Sequence, residues 1–394
     1  MNKDSWEVMQ LCNLCDSING LWKGKKEPFI KVGVIRNTNF TKDCKLDSIN
    51  IEYLEVEEKQ YSSRKLFFGD LILEKSGGGP KQPVGRIVPF EILEGDFSFS
   101  NFTSVLRIKD QRIIFYKFLY MFLLHFYRTG KTEKLQSNTT GIRNLDLKAY
   151  KSVSVPLPPL PIQKKIVKEL DTLSDIITKK KEQLAELDKL AQATFYDMFG
   201  DPIKNEKEWE MRRLEELGDW ASGGTPLRSN LLYFKGSIPW VTSGELNSLF
   251  INDTIEHINE EAIRNSNAKL IRKGSLLLGM YDTAALKSSI NKREMACNQA
   301  IAFSFINTKL CNTIYVYYSI QINKEEYKKE QRGIRQKNLN LSMIKAISIL
   351  YPPLLLQNQF AEKIEAIEQQ KALINQSITD TQLLFDYTMD KYFN

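Results

Sequence analysis

Residues 156–199 read PLPPLPIQKKIVKELDTLSDIITKKKEQLAELDKLAQATFYDMF, and residues 351–393 read YPPLLLQNQFAEKIEAIEQQKALINQSITDTQLLFDYTMDKYF. The two stretches run in step. Asn144-Leu145 stands to Pro158-Pro159-Leu160 and Gln163 as Asn338-Leu339 stands to Pro352-Pro353-Leu354 and Gln357, at a constant offset of 194 residues. Thr194 and Thr388, then Phe199 and Phe393, keep that offset. Proline suits the first turn of a helix, so each stretch opens as a helix entry. A seven-residue apolar period follows. Ile166, Leu173 and Leu187 fall on one heptad position, with Leu170, Ile177, Leu184, Ala191 and Met198 on the other. The second copy sets Phe360, Ile367 and Ile374 against Ile364, Ile378 and Phe385. Lys180 and Lys371 interrupt the two stripes, a device that fixes register at a cost in stability. Charge on the remaining faces (Lys179, Lys181, Glu182, Glu186) leaves a thin seam, better suited to another helix than to a broad core. The two helices are therefore expected to pair as a coiled coil. About 38 residues at about 1.5 Å each make a spacer of roughly 57 Å.

Working upstream, the echo continues more faintly. Trp6-Glu7 with Leu11 and Leu14 matches Trp209-Glu210 with Leu214 and Leu217, and Gly69 with Leu71 and Leu73 matches Gly274 with Leu276 and Leu278. The chain is one unit written twice. Its period is too long for a solenoid and has the size of a domain plus a helix. At 394 residues the chain holds two such domains. The expected class is α+β: two similar mixed α/β domains separated by the two long helices, with a pseudo-twofold internal repeat. Leu71 to Leu73, Ser275 to Leu278 and Ala300 to Phe305 read as strands. Residues 112–127 and 312–321 read as helical or ambiguous, and Gly200 to Glu208, polar and charged, reads as the linker between the units. Expected boundaries are 1–155 and 201–350 for the two domains, with 156–200 and 351–394 for the helices.

An apolar content of 42% and a charged content of 26% are those of an ordinary globular protein. The net charge of +7 permits a polyanionic partner without requiring one. Met1 to Asp4 leads into mixed polar sequence without an apolar signal region. The longest apolar run, Ile113 to Tyr127, is interrupted by Lys117 and His125 and is too short to span a bilayer. No membrane association and a cytoplasmic location are expected. Five cysteines, an odd number, fit a reducing compartment better than a disulfide framework.

Catalytic motifs do not assemble. Gly130-Lys131-Thr132 resembles the end of a phosphate-binding loop, but the first glycine of that motif would fall on His125. Tyr351-Pro352-Pro353-Leu354 is similar to the loop with which adenine methyltransferases hold a target amino group, yet its repeat partner is Leu157-Pro158-Pro159-Leu160, and helix entry explains both. Cys12 and Cys15 have C-x-x-C spacing with no second pair, so no metal site is expected. His125 and His257 stand beside no plausible nucleophile. A duplicated fold without a catalytic constellation suggests recognition. Basic and amide side chains in loops recur at matched places. Lys75, Lys81, Gln82 and Arg86 surround the Gly77 to Gly79 turn, where missing side chains let backbone N–H groups approach phosphates. Arg143 corresponds loosely to Arg335, with Arg332 and Lys337 nearby, and the second unit adds Arg228, Lys287, Lys292 and Arg293. Arginine forks onto guanine and glutamine onto adenine in the major groove.

These features together resemble the DNA-specificity subunit of type I restriction-modification enzymes. The resemblance rests on a domain, a long helix introduced by Pro-Leu-Pro-Pro-Leu-Pro-Ile-Gln (156–163), a second domain opening Gly-Gly-Thr-Pro (223–226) with Ile238-Pro239-Trp240, and a second helix behind Pro352-Pro353 and Gln357. Cys297-Asn298-Gln299-Ala300 also fits a segment common in these domains. The first domain departs from the pattern, carrying Gly24-Lys25-Lys26-Glu27 roughly where Gly-Gly-Thr-Pro would stand. The resemblance implies two target-recognition domains, each reading one half of a bipartite site on double-stranded DNA. It further implies that the paired helices set the gap and dock two adenine methyltransferase (modification) subunits, and that a motor-nuclease (restriction) subunit joins. It places no catalytic residue and no cofactor on this chain. Gly77, Gly78, Thr225 and Tyr281 complete the candidate DNA contacts. Two other classes remain open: the DNA-reading part of a fused restriction-methylation enzyme, and a coiled-coil scaffold without DNA specificity.

Overall fold

The structure is a computed structural model that describes residues 6–22, 24, 26–79, 82–139, 142–281, 284–330 and 338–394. The chain divides into two compact units, Met1–Lys180 with Ser377–Asn394, and Lys181–Gln376. Each unit takes half of each long helix.

In the first unit Leu71–Glu74 lies inside a four-stranded antiparallel sheet with Cys15–Asn19, Thr103–Ile108 and Ile87–Pro89. Successive strand residues point to opposite faces, and here both faces are covered. Leu71 and Leu73 join the core built on the helix Tyr116–Arg128, while Ile72 joins Val88, Phe99 and Val105 on the other side. This two-sided burial explains an unbroken apolar run in place of alternation. A second sheet centres on Phe29–Ile35, antiparallel to Glu52–Glu57 and parallel to Phe97–Phe99. A third joins Ser76–Gly78, Ile142–Leu145 and Gln136–Thr139.

The second unit repeats the plan. Leu276–Gly279 lies in a five-stranded sheet with Gly218–Ser222, Ile301–Ile306, Ser288–Asn291 and Phe250–Ile251. Leu276 and Leu278 face the core that holds the helix Thr313–Ile322, and Leu277 faces Val241, Ile271 and Met295. Ile238–Val241 pairs parallel to Ala296–Cys297 and antiparallel to His257–Ile258. The ambiguous segments thus resolve as helices. The faint upstream echoes also acquire reasons. Gly69 and Gly274 turn into their strands at φ +89° and +86°, a conformation that favours glycine. Leu11, Leu14, Leu214 and Leu217 are buried on matching single-turn helices.

The echoed glutamines perform one task twice. Gln163 and Gln357 are fully buried. The Gln163 side-chain oxygen accepts from the backbone N–H of Phe115 at 2.8 Å, and its amide donates to the carbonyls of Ile113 and Pro158. Gln357 accepts from the N–H of Asn312 at 2.9 Å and donates to the Pro352 carbonyl. Each glutamine ties the start of a long helix to the start of the helix inside the same domain, satisfying backbone groups that would otherwise be orphaned at a helix end.

The long helices span Leu160–Phe199 and Leu354–Phe393, and they pack together. In the first unit Ile166, Leu170 and Ile177 are buried, and Ile166 and Leu170 share a core with Phe385, Met389, Tyr392 and Phe393. Tyr392 donates to Glu169 at 2.8 Å and the Lys180 ammonium donates to Ser377. In the second unit Phe195 and Phe199 pack on Phe360 and Tyr315, with Ile364 and Ile367 in the same core. Lys371 pairs with Asp188 at 2.8 Å and Glu368 at 2.7 Å. Low residue numbers face high ones within each unit, so the pairing is antiparallel. Leu173, Leu184, Leu187, Ile374 and Ile378 are half-buried. The lysines that interrupt the stripes each have a polar partner on the facing helix.

One expectation needs correction. Gly200 to Glu208 is a closed cap, not an open linker. The Lys207 ammonium donates to the carbonyls of Asp197 and Met198 at 2.9 Å, and the Trp209 indole donates to that of Phe199 at 3.0 Å. Asn205 and Trp209 exchange two further hydrogen bonds. The final carbonyls of a helix lack partners, and this segment supplies them. Gly130 has a similar role: at φ +73° it follows the helix Tyr116–Arg128 as a left-handed terminator.

Candidate nucleic-acid interface

The chain leaves the central strand of each sheet at the same kind of corner. In the first unit the N–H of Lys75 donates to the Phe102 carbonyl at 3.0 Å, and the Lys75 carbonyl accepts from Leu145 at 2.8 Å. In the second, Met280 donates to Ala300 at 2.8 Å and accepts from Leu339 at 2.7 Å. The neighbouring turns match as well. Ser100 donates to the Ile35 carbonyl and Asn298 to that of Val241, both at 2.9 Å. The N–H of Arg36 is held by the Asn39 side chain and that of Thr242 by Glu245. Four segments therefore meet at one end of each central sheet. In the first unit they carry Arg36-Asn37, Lys75 to Gly78, Asn101-Phe102 and Arg143-Asn144. In the second they carry Thr242-Ser243, Met280-Tyr281, Gln299-Ala300 and Asn338. The backbone frame is shared and the side chains on it are not.

Several sequence-derived candidates come together on this rim. Gly78 stands opposite Arg143 in the three-stranded sheet, and Ser76 donates to Asn144. Gly77 has φ +101°, a conformation that favours glycine, and a Cβ there would approach the Asn37 side-chain amide to 2.8 Å. Lys75 is half-buried and donates to Asn19 at 2.8 Å, and burial lowers its ammonium pKa from the ordinary lysine value. Tyr281 and Lys287 share one end of the hairpin formed by Leu276–Gly279 and Ser288–Asn291, where Lys287 donates to Asn247 at 2.9 Å.

Others do not join them. Arg86 is 9% exposed, and its guanidinium forks onto Glu74 at 2.7 and 2.8 Å while also donating to the carbonyls of Phe40 and Asn37. The Gln82 side-chain amide lies against the same guanidinium. Arg86 is thus a buried structural cation, not a surface contact, because Glu74, 1% exposed, needs a partner. Arg86→Ala is expected to destabilise the protein by about 3–5 kcal/mol, since it leaves the Glu74 carboxylate buried and unpaired. A calorimetric melt checks this. Arg228 is exposed but already bidentate to Glu256 at 2.5 and 2.9 Å, lying over Phe234 and Trp240. Lys292 and Arg293 follow the far end of Ser288–Asn291, away from Lys287, and Lys292 sits over the Phe250 ring. Thr225, by contrast, is half-buried on the segment that leaves Gly218–Ser222 at the rim end of its sheet, where Ser222 stands opposite Ala302 and Gly223 donates to the Ile301 carbonyl. Lys81, Arg332, Arg335 and Lys337 lie outside the described residues.

Sequence reading missed Phe102, Asn37 and Asn101, which come to the rim only through the sheet. Gln299 carried a signal, as part of Cys297-Asn298-Gln299-Ala300. Among the described residues no cluster of three or more histidine, cysteine, aspartate or glutamate side chains is placed to hold a metal ion, and no helix is long and apolar enough to cross a membrane. Burial pushes the Cys15 thiol up to about 12, which keeps it protonated.

The same sheet domain with a loop rim is built twice, with Asn37, Lys75 and Asn144 at the first rim and Gln299, Asn338 and the neighbouring Lys287 at the second. A family model described as the type I restriction modification DNA specificity domain matches residues 3–189 and again 206–381, and the chain belongs to that family. It is 30% identical over 138 residues to the EcoR124I/EcoR124II specificity subunit of Escherichia coli, a match that spans 33% of each chain. It is 20% identical over 382 residues to the putative MjaX specificity subunit of Methanocaldococcus jannaschii, covering 93% of this chain and 87% of that one. Its fold is that of the type I S subunit from M. genitalium, with a TM-score of 0.59 at 13% identity over 99% of this chain and 96% of the other. A second solved chain, from a structure of type I R-M complex assembly and conformational transition, gives 0.60 at 16% identity over 99% and 97%.

Proposed function

We propose that this chain is the non-catalytic DNA-specificity subunit of a type I restriction-modification complex. Its two target-recognition domains, 1–155 and 201–350, each read one half of a bipartite site, and the spacer helices, 156–200 and 351–394, set the gap. The observation that carries this reading is the shared backbone rim with different side chains, which is what reading two different half-sites with one fold requires. Amides and cations on loops suit base edges and phosphates. The helices also dock the adenine methyltransferase subunits. Leu383, Leu384 and Tyr387 in the first unit, and Leu190, Tyr196 and Leu373 in the second, are exposed apolar side chains on helices whose opposite faces are already packed. A motor-nuclease subunit completes the restriction complex. The chain carries no cofactor and acts in the cytoplasm, where its DNA lies.

The purified chain is expected neither to methylate nor to cleave DNA, and addition of the partner methyltransferase should produce N6-adenine methylation at one split motif. Methyl transfer by the chain alone, with contaminating methyltransferase excluded, would sink this reading. Mapping host methylation with and without the gene tests it in the cell. A scaffold without DNA specificity would lack the steep fall of affinity with salt that phosphate contacts impose.

A further inference from the structure

We propose that Phe102 is a base-contacting, specificity-determining residue of the first recognition domain, its ring packing on an apolar base edge such as the thymine methyl group. This deepens the DNA-reading assignment and rests on it. The ring is 44% exposed at the corner of the rim. Its backbone is fixed from two sides. The Phe102 carbonyl accepts from both Lys75 and Ser76, and the turn before it closes with Thr103 donating to Ser100 through its N–H at 3.0 Å and its hydroxyl at 2.8 Å. An apolar ring carried on a fixed backbone meets a partner with no backbone left to order. One flank of the ring is left open by Gly77, where even a Cβ would reach only ordinary contact at 3.5 Å. The rim segments beside it carry Asn37, Lys75 and Asn144, which bond Glu74, Asn19 and Ser76, so the ring is an apolar surface among polar side chains. In the major groove the thymine methyl is the apolar feature of the base-pair code.

The second domain gives an internal comparison. The position equivalent to Phe102 on the same hydrogen-bonded corner is Ala300, which is 8% exposed. The aromatic residue there is Tyr281, on the adjacent loop, where the first domain has Ser76. An aromatic residue thus occupies each rim from a different loop, so the two domains present their apolar contact at different places against the duplex. Ala300 also shows that the corner accommodates alanine, which makes Phe102→Ala a variant that keeps the turn.

The test uses the full chain with its methyltransferase subunits. Anisotropy titrations measure binding to duplexes carrying the methylated motif and every single-base replacement in both half-sites. Phe102→Ala is expected to weaken cognate binding by about ten- to hundred-fold and to erase discrimination at one base pair of one half-site, leaving the other half-site unchanged. Phe102→Tyr, which keeps the ring, should retain the wild-type pattern, and a thermal melt confirms that both variants fold. Unchanged base preferences in Phe102→Ala, or a uniform loss across all duplexes, would overturn the assignment of Phe102 alone. A wild-type complex with no split-motif preference would overturn the DNA-reading assignment and this inference with it.

Discussion

Replacing residues 209–350 by the equivalent segment of a relative is expected to change one half-site of the methylated motif completely and to leave the other as it was. The two rims are built from separate sheets with separate loops, and sites without shared partners behave additively. The graft has one structural requirement. Tyr315 stacks on Phe195 at 5.9 Å between ring centroids and meets Phe199 edge-on at 4.8 Å, while Phe360 packs against both phenylalanines. Phe195, Phe199 and Phe360 stay behind with the helices, so the donor must offer an aromatic residue where Tyr315 stands. A mismatch there opens a cavity, and large-to-small changes in such a core cost about 3–5 kcal/mol. The readout is the methylated motif of the reconstituted enzyme. If both half-sites changed together, the domains would not read independently.

Lengthening both helices is expected to widen the gap without changing the bases read. The antiparallel pairing decides where the insertions belong. Lys180 faces Ser377, and Asp188 faces Lys371. Insertions beside Lys180 and Lys371, the two positions that the sequence marks as interruptions, would not face each other. Four residues after Lys180 matched by four before Ser377 keep the flanking contacts, whereas one insertion alone puts the seam out of register. Four residues add about 6 Å at about 1.5 Å per residue, and B-DNA rises about 3.4 Å per base pair. The preferred gap should therefore grow by one or two base pairs, with some loss of affinity because the added length also rotates one domain. An unchanged gap at full activity would show that these helices are not the ruler.

The duplication was readable because its strongest echoes fall where local chemistry is strict: prolines at a helix entry, a buried glutamine about one turn from them, and glycines at left-handed turns. The role of Gln163 and Gln357 was not readable. Their partners Phe115 and Asn312 lie 48 and 45 residues away in sequence, and no period or motif connects them. Arg86 shows the converse error. Beside a glycine turn and among other cations it reads as a phosphate contact, but the sheet brings Glu74 beneath it, and a buried carboxylate takes the nearest guanidinium.

Sequence by itself determined the twofold repeat, the α+β class, the two long helices and their apolar stripes, because these depend on spacing along the chain and on residue types at fixed offsets. Tertiary structure alone decided which ends of the helices face each other, which cations are buried against a carboxylate, and which side chains share a rim. Those are matters of neighbours distant in sequence. Arg36, Lys75, Phe102 and Arg143 come together only when parallel and antiparallel pairing carry four segments, distant in sequence, to the same end of the central sheet.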